Sequence, residues 1–269
     1  MAKKSYFFFD KECVCLGAGI NSTMNSPVNT TVEHRRLVKD TDTAFGLEDI
    51  TVDGELMPKA EYSEGKKGAK WATLEGVGSY VFLDNSDVYF NKYSVKGEMK
   101  VEDMYFRPDP TDKKYGDAGK PFFELGIAHG KNPKDASYAY AVLPYADAEA
   151  AKAYSGTPEI EILSNTPELQ VVRKKSVGVT FYVFHKAGEF EEFTVSEPCI
   201  LAKTERDGYY RVTVCDPTQK LESATVKVAR KLTLTDKARQ LTVECAEDTE
   251  IKVDFTHSAG EAFSCEFKN

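Results

Sequence analysis

The sequence has no run of ~18 apolar residues, so it holds no candidate membrane-spanning helix and no membrane partner is expected. It lacks a basic excess as well. Against 35 Lys and Arg stand 43 Asp and Glu, a formal net charge of −8. A surface that tracks a polyanion needs cationic groups along its length, so nucleic acid is not an expected partner. The short basic clusters His34-Arg35-Arg36, Lys66-Lys67 and Arg173-Lys174-Lys175 read as solvated strand ends. Histidine is scarce: His34, His185 and His257 stand singly, without the clustering zinc requires. None of the six cysteines is in a Cys-x-x-Cys spacing, and their even number alone implies no disulfide framework. Cys13 and Cys15 lie two apart on an expected strand, so they share a face and are poorly placed to bond each other; free buried thiols are expected. Acidic pairs such as Glu48-Asp49, Glu191-Glu192 and Glu247-Asp248 offer oxygen donors for calcium, but no Asp-x-Asp-x-Asp-Gly loop organises them. Gly17-Ala18-Gly19 lacks the third glycine and following helix of a dinucleotide site and reads as a bend between strands. No cofactor or metal site is assigned. The amino terminus has no apolar signal core, and the sequence shows no internal repeat or low-complexity tract.

What the chain does carry is β periodicity. Ser5–Phe9, Glu12–Leu16 and the Val- and Thr-rich stretch Pro27–Leu37 read as extended. Asp53-Gly54, between Ile50-Thr51-Val52 and Glu55-Leu56-Met57, is the signal for a two-residue hairpin turn. Charged, Gly-containing Lys59–Lys70 reads as an exposed loop, as does Met99–Lys120 with its prolines and charges. Trp71–Glu75, Ser79–Leu83 and Val88–Ser94 supply further strands. One helix is expected, from Asp147 to Tyr154, with Asp147 as its cap and an Ala-rich body, ended by Gly156 and Pro158. Beyond it, Tyr210/Val212/Val214, Leu241/Val243 and Ile251/Val253/Phe255 alternate with polar residues, as in an antiparallel sandwich. The length suffices for two all-β domains, divided at 164/165: a sandwich over 1–164 and a smaller one over 165–269.

The stretch 121–144, PFFELGIAHGKNPKDASYAYAVLP, reads as strands Phe122–Ala128 and Tyr138–Leu143 joined as a hairpin by Gly130, Asn132 and Pro133. This string resembles a segment of polysaccharide lyase family 8, which includes hyaluronate, chondroitin and xanthan lyases. The resemblance continues through Lys4–Asp10, Val14–Ile20, Thr30–Arg36, Trp71, Gly76–Phe82, Ile160–Thr166, Leu169–Val172 and Cys215–Gln219. It implies an all-β fold of two antiparallel sandwiches, the later part of a large super-sandwich followed by a C-terminal one. It also implies an extracellular or periplasmic setting, so the missing signal core suits a chain that begins inside a larger architecture, as a truncation or split product.

Cleavage of a uronic acid polymer by β-elimination needs neutralisation of the carboxylate, a base for the C5 proton and an acid for the leaving oxygen. His129, Asn132, Tyr138 and Tyr140 have suitable side chains. Their spacing argues for structure instead: the two tyrosines share a strand face, and His129, Gly130, Asn132 and Pro133 occupy the turn. The resemblance implies the same, since the family's catalytic Asn, His, Tyr and Arg lie in a helical domain that precedes the β domains. No catalytic residue is therefore assigned. The chain is expected to buttress that helical domain, held in cis or in trans, and to wall a cleft for a glycosaminoglycan-like polysaccharide, with Phe7, Phe8 and Phe9 candidates for the exposed apolar edge. A stand-alone carbohydrate-binding or accessory protein is the alternative, with Tyr89, Tyr93, Tyr105, Tyr115, Arg35 and Arg36 as candidate sugar contacts. An independent enzyme would need a pocket of clustered titratable groups.

Overall fold

The computed structural model describes residues 2–37, 49–95 and 120–268. The expected loop over Met99–Lys120, with Tyr105 and Tyr115, lies outside the described residues save for Lys120. The first half builds strands β1 (Lys3–Phe8), β2 (Cys13–Ile20), β3 (Pro27–Arg36), β4 (Ile50–Val52), β5 (Glu55–Leu56) and β6 (Tyr62–Lys67). It continues with β7 (Trp71–Leu74), β8 (Gly78–Phe82), β9 (Asp87–Val95), β10 (Lys120–Lys131) and β11 (Ala136–Pro144). They form a seven-stranded sheet, ordered β1-β2-β11-β8-β7-β4-β5, facing a four-stranded sheet, β3-β10-β9-β6. All pairings are antiparallel among the described strands. The core between the sheets is filled by Phe123, Leu125 and Ile127 of β10 against Tyr138, Tyr140, Leu74 and Phe82.

β10 and β11 are not a hairpin. The segment between them carries the chain from one sheet to the other, so the two strands face each other across the core instead of pairing. Positive φ at Gly130 (73°), Asn132 (49°) and Asp135 (51°) makes this corner, which a two-stranded reversal would not require. Two further expectations change. Tyr62–Lys67, read as loop, is an edge strand beside β9; only Tyr62 of it packs on the core, so it has no apolar alternation to reveal it, and charge on it blocks further pairing. Gly17 and Gly19 do not end a strand, because β2 runs through both. Gly19, at φ 63°, sits in a register shift opposite Ala136/Tyr138, and Gly17 leaves room for the Tyr138 ring. The Asp53-Gly54 hairpin forms as expected, with φ of 49° and 88°.

The helix α1 (Ala148–Gly156) is capped by Asp147, whose carboxylate accepts from the Ala150 N–H at 2.8 Å. It packs Ala151 on Trp71, Val81 and Leu143, covering the outer side of the seven-stranded sheet. With both faces of that sheet buried, its inner strands read as continuous apolar runs.

The second half comprises β12 (Ile160–Asn165), β13 (Leu169–Lys174), β14 (Val179–Phe184), β15 (Gly188–Phe190), β16 (Phe193–Val195) and β17 (Cys199–Arg206). It ends with β18 (Tyr209–Cys215), β19 (Ser223–Val228), β20 (Thr233–Lys237), β21 (Leu241–Cys245), β22 (Thr249–Asp254) and β23 (Phe263–Lys268). Sheets β12-β13-β14-β17-β18-β23-β20 and β15-β16-β19-β22-β21 enclose one core. β12 pairs with β13, so Ile160–Ser164 goes with the second sandwich, whereas the 164/165 division placed it in the first.

Asp216 folds the connection from β18 to β19. Fully buried, it accepts from the Thr218 N–H and hydroxyl on one oxygen (2.8 and 2.7 Å) and from the Lys220 and Leu221 N–H on the other (2.8 and 2.9 Å). Burial alone would raise its pKa; the four donors more than offset that and hold it below the usual value. An amide can satisfy only one of the two pairs. Asp216→Asn is expected to cost about 2 kcal/mol in urea unfolding at pH 7. A depressed folded pKa stabilises above the unfolded value, near ~4, and that contribution is lost as pH falls through the folded one. The gap between wild type and variant should therefore narrow in acid.

Candidate functional site

The central residues are held by packing and by the corner. Tyr138 and Tyr140 lie in the first core with ring centroids 5.8 Å apart, and His129 packs on Tyr138 at 6.2 Å while its Nε2 meets the Thr30 hydroxyl at 2.8 Å. Burial pushes both phenols well above their usual pKa and lowers that of His129, so all three are uncharged at neutral pH. Tyr138 is 1% exposed, out of reach of a polymer. Asn132, on the surface, accepts from the Asn25 N–H through its side chain at 2.8 Å, and Pro133 C=O accepts from Ser22 N–H at 3.2 Å. A carboxylate, a base and an acid site for elimination do not converge here on one accessible surface.

The seam between the sandwiches holds a charged cluster built on a buried lysine. Lys174 has a fully buried side chain, and its Nζ lies 2.6 Å from Asp10, 3.0 Å from Glu12 and 3.3 Å from Glu159. Burial alone would lower its pKa; hydrogen bonds to those carboxylates raise it instead and keep the ammonium charged. The run Arg173-Lys174-Lys175 is thus not simply a solvated strand end: alternation sends its middle residue inward. Beside it, Ser5 Oγ donates to Gln170 Oε1 at 2.5 Å, Gln170 Nε2 donates to Asn165 at 2.8 Å, and Asn165 Nδ2 reaches the Gly17 and Tyr138 carbonyls. Phe7 and Phe9 pack on Phe181, so two of the three phenylalanines read as candidates for an exposed edge close the seam instead.

Phe8 is the exposed one, at 73%, and Tyr6 joins it at 56%. Their cross-strand partners are Cys13 and Cys15, which places both rings on the inner side of the seven-stranded sheet. Among the described strands, β1 and β3 are edge strands of their sheets. Phe8 also lines a cleft of ≈ 760 Å³ with Phe9, Glu12, Tyr154 and Glu159.

A second surface lies on the outer side of the four-stranded sheet, away from the second sandwich. One rung holds Arg36, Phe122 and Tyr93, and the next His34, Glu124, Asn91 and Ser63. The Tyr93 and Phe122 rings are 6.0 Å apart and within 18° of parallel. His34 meets the Tyr93 hydroxyl at 2.8 Å. Glu124 accepts from Tyr89 at 2.9 Å and Asn91 at 3.3 Å, and Asn91 accepts from Ser63 at 2.7 Å. Of the residues read as sugar contacts, this face gathers Tyr89, Tyr93 and Arg36. Arg35 points to the other side of β3 and pairs with Glu33 at 3.3 Å. Phe122, His34, Glu124 and Asn91 were missed, because which residues share a solvent face follows from register. Tyr89 folds over Gly126, and burial and Glu124 push its pKa up to about 12.

All six cysteines are free, and no cluster of three His, Cys, Asp or Glu able to hold a metal occurs among the described residues. No helix among them is long and apolar enough to cross a membrane.

Residues 1–155 match the polysaccharide lyase family 8 super-sandwich domain and residues 161–225 that family's C-terminal β-sandwich domain. Chondroitinase-AC of Pedobacter heparinus is 32% identical over 236 residues, 84% of this chain and 31% of that enzyme. Hyaluronate lyase of Thermasporomyces composti is 30% identical over 228 residues, 84% of this chain and 28% of the relative. Among solved structures, the xanthan lyase of Paenibacillus superposes with a TM-score of 0.86 at 27% identity, over 99% of this chain and 26% of the other. The chain thus spans about a third or less of the relatives it matches.

Proposed function

Since this chain belongs to polysaccharide lyase family 8, we propose that it is the β-sandwich support of a glycosaminoglycan or polysaccharide lyase, walling the substrate cleft while a helical domain, in cis or in trans, carries out β-elimination. The observation that carries this reading is the apolar edge at Tyr6 and Phe8, two aromatic rings alternating on one face of an edge strand beside a cleft. Aromatic area of that kind left in water marks a surface that another part of an assembly covers. The seam supports it too, since Lys174 and the Ser5–Gln170–Asn165 bonds tie the sandwiches into one buttress. Named relatives act on chondroitin, hyaluronate and xanthan, which makes a uronic acid polymer the proposed substrate and the extracellular or periplasmic space the proposed location.

The test is ultraviolet absorbance of the unsaturated uronate product, with hyaluronan, chondroitin sulfates and xanthan in turn, with and without a family 8 helical domain. Absorbance is expected to grow only when the helical domain is present, and Phe8→Ser should weaken that gain. Product formed by the chain alone would overturn the reading and return attention to His129 and Tyr138. Silence in both arms would favour the second reading, a carbohydrate-binding protein without catalysis, which the Tyr93–Phe122 face supports.

A further inference from the structure

We propose that the outer face of the four-stranded sheet is a binding strip for a pyranose chain bearing a carboxylate on alternate sugars, separate from the edge at Phe8. A pyranose presents an apolar C–H face and a rim of hydroxyls, so a protein surface that holds it needs aromatic area with hydrogen-bonding groups one sugar edge away. Tyr93 and Phe122 provide the first as two near-parallel rings on adjacent strands, braced by His34, which lies 5.7 Å from Phe122 and bonds Tyr93. The next rung provides the second. Glu124 is held by Tyr89 and Asn91, and Asn91 in turn by Ser63, so the acceptors are fixed before any hydroxyl arrives.

Cross-strand pairing alone gives a different account of such rings, as sheet stabilisation worth roughly 0.2–1 kcal/mol per pair. Charge separates the two. Arg36 shares the rung of Phe122 and Tyr93, is exposed, and forms no ion pair among the described residues. Guanidinium takes a carboxylate through two parallel hydrogen bonds. The aromatic rung of the strip thus carries Arg36, and the anionic groups, Glu124 and Asp87, lie on the rungs beyond. One carboxylate over the aromatic rung with neutral hydroxyls over Glu124 and Asn91 fits this order. A densely sulfated chain does not, because it would set anions on Glu124 in a protein of net charge −8.

The experiment uses the chain alone, so it is independent of any helical domain and of elimination: isothermal titration with hyaluronan oligosaccharides, carboxyl-reduced hyaluronan and heparin. Hyaluronan is expected to bind and heparin to bind more weakly. Tyr93→Ala/Phe122→Ala should lower hyaluronan affinity about tenfold or more, with circular dichroism checking that the sheet is retained. Arg36→Gln, at an exposed position that leaves the fold intact, should weaken hyaluronan binding and leave the carboxyl-reduced polymer unaffected. No binding of hyaluronan by the wild type would overturn the proposal. So would wild-type affinity in the folded aromatic variant, or an Arg36→Gln effect of equal size on both polymers. Elimination activity in the presence of the helical domain is read separately, so the strip and the buttress can fail independently.

Discussion

Lys174→Met is expected to cost about 3–5 kcal/mol in equilibrium unfolding. The size follows from what the substitution leaves behind. Glu12 is 3% exposed and has Lys174 as its cationic partner at 3.0 Å; Asp10 and Glu159 converge on the same ammonium. Without that charge, the buried Glu12 carboxylate is left in the seam with no cation to pair with, where water compensates little, while Asp10 and Glu159 stay in contact with solvent. Removing one member of a buried ion cluster is worse than removing all, because the survivors stay unpaired. Glu12→Gln in the Lys174→Met background should therefore recover part of the loss, and urea melts of the four proteins in a double-mutant cycle measure it. A cost below about 1 kcal/mol for Lys174→Met would mean that the lysine does not join the sandwiches.

Gly17→Val is expected to destabilise by roughly 2–3 kcal/mol through overpacking. A Cβ at position 17 would fall within the Tyr138 ring, and Tyr138 is fully buried between His129, Tyr140 and the core, with nowhere to turn. Gly126→Ala makes an instructive comparison. Its Cβ would meet the Tyr89 ring in the same way, but Tyr89 is half-buried on a solvent face and can swing away. Thermal unfolding should show a clear loss for Gly17→Val and a small one for Gly126→Ala. Equal losses would show that Tyr89 is as confined as Tyr138.

The sequence was most informative where one short stretch contains all the interacting partners. Asp147 caps a helix three residues away, and the Asp53-Gly54 turn closes on strands that touch it. Alternation of Tyr210, Val212 and Val214 states a buried face without naming what lies across it. The order of resembling segments went further and placed two successive sandwiches along nearly the whole chain. Period alone was silent on pairing, and so Phe122–Ala128 and Tyr138–Leu143 read as a hairpin when they belong to opposite sheets. It was silent for edges too: Tyr62–Lys67 has a single apolar residue on its core side, too few to make a period.

The candidate surfaces were legible in part. Tyr89, Tyr93 and Arg36 stood out as residue types, but Phe122 and His34 joined them only once the β3–β10–β9 register was known.

Local residue order thus determined an all-β class, the Asp53-Gly54 turn, the one helix and the family. Tertiary structure decided which sheet each strand joins, which ring faces water and which charge is buried. Lys174 shows why: it meets Asp10 across 164 residues of chain, and a lysine is buried or solvated according to whether carboxylates that far away are brought to it.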